Sequence, residues 1–195
     1  TVAIKTIGLF ALMHQSGMQV PVSDGEMAIF DAVYADIGDS QSIERSVSTF
    51  SSHMGRVIEI LLEATPNSLI LLDELGTGTD PEEGSALARA VLAHAAENDM
   101  PIAITSHYRT VAEFAAESED FANASVELNP DTMLPTYQVL MGIPGRSYAI
   151  HVARHLGMPS HVLDHAQSMM DPSRAEAETI LQQLQRERDE ASRML

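Results

Sequence analysis

One stretch constrains this chain more than any other: Ser68-Leu-Ile-Leu-Leu-Asp-Glu-Leu-Gly-Thr-Gly-Thr-Asp80. Leu69 to Leu72 is a short unbroken apolar run that ends in two adjacent carboxylates, Asp73 and Glu74. A loop rich in Gly and Thr follows, and Pro81-Glu82-Glu83 then opens a helix. A short apolar run bounded by turn residues predicts a strand buried on both faces. Acids at the carboxyl end of such a strand stand where open α/β sheets bind ligands. A strand ending in Asp-Glu is the Walker B arrangement. There the first acid is placed to hold Mg2+, directly or through a water. The second is placed to orient or deprotonate a water that attacks a γ-phosphate. The plain alternative is a buried strand whose terminal acids solvate a loop.

The rest of the chain supplies a setting for that strand. Thr1 to Gly17 is apolar on most sides and predicts a mostly buried helix closed by Gly17. Phe30 to Ile37 alternates apolar with polar or small residues and predicts a strand. Ile43 to Ala64 predicts a helix with one apolar face formed by Phe50, Met54, Val57, Ile58, Leu61 and Leu62, capped by Ser48 or Thr49. After the Walker B strand, Pro81 to Asn98 predicts a helix with Pro in its first turn and Glu82-Glu83 complementing its dipole. Pro101 to Ser106 predicts a second buried strand, ending at His107, and Tyr108 to Ser118 another helix. Two strand-like segments flank Asn129-Pro-Asp-Thr132. Strands and helices in alternation predict an α/β fold, a largely parallel sheet covered by helices. A chain of 195 residues, 45% of them hydrophobic, has the material for one such core plus a tail.

Beyond Gly142 the character changes. The predicted division is a core over 1–142, a helical segment over 143–172, and a charged segment over 173–195. Within the second, Ala149 to Leu156 and His161 to Met170 read as helices. In the third, Ala177, Leu181, Leu184, Ala191 and Leu195 recur at spacings that fit the start of a coiled coil, with a solvated single helix as the alternative.

Composition narrows the functions. Cys is absent, so disulfides and thiolate metal sites are excluded. No apolar run approaches a membrane span and no signal peptide is visible, so a cytoplasmic location without membrane contact is expected. A net charge of −17, from 28 acids and 11 bases, repels phosphate backbones, so direct nucleic-acid binding by this segment is not expected.

Two further motifs fit an ATP site. Thr105-Ser106-His107 ends the strand that follows Walker B, which puts His107 near a γ-phosphate as a hydrogen-bond donor. The plain reading is a structural histidine. Ser48-Thr49-Phe50-Ser51 lies at a predicted helix start, where free N–H groups favour an anion. Standing alone it is a cap. Taken together, the motifs resemble the ATPase domain of the MutS family, an ABC-type P-loop NTPase fold. Asp73-Glu74-Leu75-Gly76-Thr77-Gly78-Thr79-Asp80-Pro81-Glu82-Glu83-Gly84 is similar to that family's Walker B and D-loop run. Ser48-Thr49-Phe50 is similar to its signature motif and Thr105-Ser106-His107-Tyr108 to its histidine switch. Pro144-Gly145-Arg146-Ser147-Tyr148-Ala149-Ile150 and Gly157-Met158-Pro159 resemble the approach to its dimerising helices. Asp36-Ile-Gly-Asp-Ser-Gln-Ser-Ile-Glu44 and the following Ser48 to Met54 resemble the type-2 bacterial branch, the recombination-suppressing paralogue, rather than the mismatch-repair sensor.

The chain departs from the family in lacking a Gly-rich Walker A loop. Thr1-Val-Ala-Ile-Lys-Thr6 looks like the helix that follows that loop, so Thr1 takes the place of its Mg2+-binding hydroxyl residue and the cradle is expected upstream. Lys5 sits too far down the helix to replace the missing lysine. The resemblance implies ATP and Mg2+ as cofactors, with Thr1 and Asp73 serving the metal, Glu74 the attacking water and His107 the γ-phosphate. It further implies a homodimer in which Ser48, Thr49 and Asp80 act across the interface, with DNA bound through domains outside this sequence. The fragment alone is expected to be inactive. The alternatives are a different ABC-type ATPase, a non-hydrolysing dimerisation or scaffold segment, a translation-linked paralogue, and a metal-only phosphoesterase. The first would need a Gly-rich signature, and the last more clustered ligands than Asp73, Glu74 and His107.

Overall fold

The computed structural model describes residues 1–38, 49–129, 132, 134–143, 145 and 148–170, with the backbone alone described for Thr49. Ser48 and the predicted coiled coil over 173–195 lie outside the described residues, as do Pro144, Arg146 and Ser147.

At the centre are three short parallel strands in the order β1 (Val33–Asp36), β2 (Leu69–Leu72), β3 (Ile102–Ile104). Asp36 is paired in register with Leu72, and Leu72 with Ile104, so the three strands end level with one another. β2 is the middle strand and all four of its residues are buried. Its side chains alternate between two cores, as the period of two in a strand requires. Leu69 and Leu71 join Ile4 and Ala11 of helix α1 (Val2–Gln15) on one face. Ile70 and Leu72 face the other way, into a core with Val57 and Ile60 of α2 (Thr49–Glu63), Ala88, Val91 and Leu92 of α3 (Pro81–Glu97), and Val111 of α4 (Arg109–Glu117). Helices thus cover both faces of a parallel sheet, the arrangement that the alternating pattern predicts.

The element ends follow from local chemistry. α1 stops at a Schellman turn: Gly17, at φ 73°, donates to the His14 carbonyl, and Met18 donates to Met13. α3 starts at Pro81 because Asp80 accepts hydrogen bonds from the N–H groups of Glu82 and Glu83. β4 (Ala124–Leu128) and β5 (Pro135–Met141) pair as a separate two-stranded sheet.

Three expectations need correction. α1 is not mostly buried: Ile4, Gly8 and Ala11 face the sheet, while Val2, Leu9 and Leu12 are exposed. The three-stranded sheet covers one stripe of a helix that is apolar nearly all round. On α2, Ile58 and Leu62 are exposed and Ile60 is buried instead, because the face that meets the sheet runs through Met54, Val57, Ile60, Leu61 and Ala64. β1 and β3 are also shorter than the runs Phe30 to Ile37 and Pro101 to Ser106, whereas β2 matches its apolar run Leu69 to Leu72.

The chain divides into two compact units. Thr1–Glu127 and Tyr137–Gly145 form the first, which holds the three-stranded sheet. In the second, α5 (Ala149–His155) packs on α6 (Ser160–Ser168), which buries Leu163. No helix among the described residues is long and apolar enough to cross a membrane.

Candidate active site

The site lies at the carboxyl ends of the three parallel strands. Asp73 extends the ladder one residue past β2, its N–H donating to the Asp36 carbonyl at 2.9 Å. Its side chain is only 9% exposed, with Oδ1 3.3 Å from the Thr1 amino nitrogen. Thr105, just past the end of β3, completes the surroundings of Asp73. Its Oγ1 donates to Asp73 Oδ1 at 2.5 Å and accepts from the Glu74 N–H at 2.8 Å. Its carbonyl accepts from the Leu75 N–H at 3.1 Å, and its own N–H donates to the Leu72 carbonyl at 3.0 Å. One threonine therefore fixes the carboxylate of Asp73 and the backbone of both residues after it. Burial alone would push the Asp73 carboxyl up. The hydrogen bonds from Thr105 and Thr1, with the positive amino terminus, outweigh burial and hold it below the usual aspartate range, so the group is an anion at neutral pH.

Glu74 follows in a left-handed conformation, φ 51°, uncommon outside Gly, Asn and Asp. Such backbone costs about 1–3 kcal/mol and persists where surrounding hydrogen bonds over-determine it. Here those bonds come from Thr105 and from the Thr77 N–H, which donates to the Glu74 carbonyl. The turn leaves the Glu74 side chain exposed beside the half-buried Asp73.

The loop after Glu74 is clamped on both sides. A Cβ on Gly76 would run into the Gly84 carbonyl of α3, and Gly76 has φ 85°, so only glycine fits there. The Tyr108 hydroxyl donates to the Gly76 carbonyl at 3.1 Å. Gly78 lies against the start of α2, where a Cβ would stand 3.5 Å from Phe50 Cβ. Asp80 caps α3, a local role for a residue expected to reach across an interface. His107 is exposed two residues beyond Thr105, its ring centroid 5.7 Å from that of Tyr108. Thr49 opens α2.

The structure thus gathers Thr1, Asp73, Glu74 and Thr105 at one sheet edge, with His107 at the end of the neighbouring strand. The sequence reading gave Thr105 itself no role. Asp36, which opens the run resembling the type-2 branch, had no role assigned either; its carboxylate at the end of β1 accepts from His53 Nδ1 at 2.8 Å and from the Arg56 guanidinium at 3.3 Å. A charged residue in the last position of an alternating strand was the available signal. A shallow cleft beside Asp73 and Glu74 is lined by Asp36, Phe50, His53 and Met54.

The donors around Asp73 are oxygens. No group of three or more His, Cys, Asp or Glu able to hold a metal occurs among the described residues. That set fits Mg2+, which takes one or two carboxylates and leaves its remaining positions to phosphates and waters. It does not fit a caged zinc site.

A parallel sheet layered between helices, with adjacent carboxylates on one strand end and Thr-Ser-His on the next, defines the class: an α/β protein of the P-loop nucleotide-binding type. The sequence pattern of MutS domain V matches residues 1–172, all of the first unit and part of the second, and the chain belongs to the MutS family. It is 45% identical over 192 residues to endonuclease MutS2 of Thermomicrobium roseum, covering 98% of this chain and 24% of that protein. It is 47% identical over 192 residues to endonuclease MutS2 of Pelotomaculum thermopropionicum, with the same coverage of 98% and 24%. It is 44% identical over 196 residues to the putative endonuclease MutS2 of Bacillus subtilis, covering 100% of this chain and 25% of that protein. The chain spans about a quarter of the length of the curated relatives it matches.

Proposed function

We propose that this chain is the ATPase and dimerisation part of a MutS2-type DNA-processing protein, in which ATP binding and hydrolysis drive a clamp acting on branched or mismatched DNA. The observation that carries it is the hydrogen-bonded set Asp73–Thr105–Glu74 at the end of β2. A half-buried, partnered, ionised carboxylate stands next to an exposed one on a strained backbone, and the two environments suit two roles.

Asp73 and Thr1 would hold Mg2+, which when bound neutralises charge on the β- and γ-phosphates of ATP. The Thr105 hydroxyl donates to Asp73 and favours its ionised form. Glu74 accepts a proton from, or orients, the attacking water. Thr105 holds Glu74 in register with Asp73, and the clamped loop at Gly76 keeps that register from drifting. His107 donates to the γ-phosphate. In a dimer, Ser48 and Thr49 close over the partner's nucleotide, and the free N–H groups at the start of α2 supply positive potential there. The D-loop, through Asp80, touches across the same interface. DNA contacts, and any nuclease step of the kind the relatives' names state, belong to other parts of the complete protein.

The test compares ATP hydrolysis and nucleotide binding in the complete protein, its Glu74→Gln version and this chain alone. Loss of the base is expected to lower turnover about 10²–10⁴-fold while leaving ATP affinity intact. The chain alone is expected to be inert. A complete protein that neither binds nor hydrolyses ATP would leave dimerisation as the better account.

A further inference from the structure

Among the described residues, Asp36 is the most deeply buried charged side chain, 3% exposed, and the chemistry above makes no use of it. A carboxylate taken out of water needs charged or hydrogen-bonding partners. Both of the partners seen here come from one helix. His53 and Arg56 stand three apart on one face of α2, and each donates to a different oxygen of Asp36. His53 is one turn in from Thr49. At its other end Asp36 is bonded to the metal-side carboxylate residue, its carbonyl accepting the Asp73 N–H. The residue therefore bridges the end of β2 and the first turns of α2.

Apolar packing along α2, through Val57 and Ile60, presses the helix on the sheet without fixing its rotation or its axial slide. Hydrogen bonds are directional and do fix them. A shift of α2 that carried His53 and Arg56 away from Asp36 would strip partners from a buried charge. Phe50 against Gly78 tethers the same turn from the other side.

We propose that Asp36, with His53 as its principal partner, is a positioning residue for ATP hydrolysis in the opposite subunit. It sets the register of the first turn of α2, which Thr49 opens, against the partner's nucleotide. This rests on the reading above, in which this helix start acts across a dimer.

The test uses the complete protein. In His53→Asn the amide nitrogen stands about where Nδ1 stood and can still donate to Asp36, whereas His53→Ala cannot. For His53→Ala, kcat is expected to fall on the order of tenfold with KM for ATP nearly unchanged, since a small misplacement acts on the transition state. His53→Asn is expected to restore most of that loss. A His53→Ala protein that melts earlier yet turns over normally would reduce the pair to a structural tie and overturn the proposal.

A heterodimer fixes the direction of action. One subunit carries His53→Ala and the other Glu74→Gln, with different tags so that the mixed species is isolated. The first subunit keeps its own Glu74 and is served by an intact α2 from the second. The heterodimer is therefore expected to show about half of wild-type turnover, above either mutant homodimer. A heterodimer no more active than its parents would place the effect of His53 within its own subunit and overturn the proposal. A wild-type and Glu74→Gln heterodimer is the control. If it lacks half activity, or if the Glu74→Gln homodimer hydrolyses ATP, the trans-acting ATPase reading is itself at fault and both fall.

Discussion

At the residue scale, Thr105 is the most informative position in the site, because its one hydroxyl both donates to Asp73 and accepts from the Glu74 N–H. Thr105→Val keeps the shape and removes both bonds. The half-buried Asp73 carboxylate then loses one of its donors and the exposed Glu74 N–H its acceptor, at an expected cost of about 1 kcal/mol in unfolding free energy at neutral pH. A pH dependence follows. The Asp73 carboxyl is lowered in the folded chain from its ordinary 3.8, so the stability it contributes is present above that value and is lost as pH falls through the folded one. Without the Thr105 bond the shift is smaller, so the gap between wild type and Thr105→Val should narrow as pH falls below about 4. Part of the gap persists, because the Glu74 N–H remains unpaired at every pH. Urea melts of the chain at neutral and acid pH measure both parts. An unchanged gap across that range would show that the hydroxyl serves the backbone only. The acids at this edge were legible in the sequence, because Asp73 and Glu74 are adjacent and end an apolar run. Thr105 and Asp36 were not. Their roles depend on strands β1 and β3 ending level with β2, a register that joins residues 31 or more positions apart.

At the element scale, the contact between the loop after β2 and the first turn of α3 decides where Glu74 points. Gly84 is helical, so alanine there would ordinarily gain about 1 kcal/mol in helix propensity. Here its Cβ would run into the Gly76 carbonyl and stand 3.0 Å from the Tyr108 hydroxyl. Backbone cannot swing aside as a side-chain tip can, so Gly84→Ala is expected to destabilise the chain by about 1–3 kcal/mol instead. In the complete protein the same change should also reduce ATP turnover by tenfold or more, because the displaced loop carries Glu74. Thermal melts and turnover per folded molecule separate the two effects. Wild-type stability in Gly84→Ala would mean that the loop accommodates the methyl group. Most elements were legible because their ends carry strong local signals: Gly17 in its Schellman turn, Asp80 capping and Pro81 beginning α3. The burial of α1 was not, because a helix apolar on most sides does not state which side the sheet will cover.

At the scale of the whole molecule, charge sets what the chain does by itself. With a net charge of −17 on 195 residues, the folded state works against its own field. Among the described residues, Arg pairs with carboxylates at Arg56–Asp36 and Arg109–Glu113, both with the Arg exposed. Raising salt from about 10 mM to about 150 mM shortens the screening length from roughly 30 Å to roughly 8 Å, below the span of a domain. The melting temperature of this chain is therefore expected to rise with NaCl over that range, by a few degrees. Neither linear nor branched DNA should bind it at the low end, where a phosphate-binding surface would bind most tightly. A melting temperature that falls with salt would mean that favourable pairs dominate the field. A DNA complex at low salt would overturn the assignment of DNA contacts to other parts of the protein. The same field bears on the proposed dimer. Two copies of this chain, each of net charge −17, repel at long range. Screening weakens that repulsion, so self-association of the chain should strengthen as salt rises from about 10 mM toward about 150 mM, which sedimentation of the chain at two salt concentrations would measure. Association that weakens with salt would mean that oppositely charged patches draw the copies together.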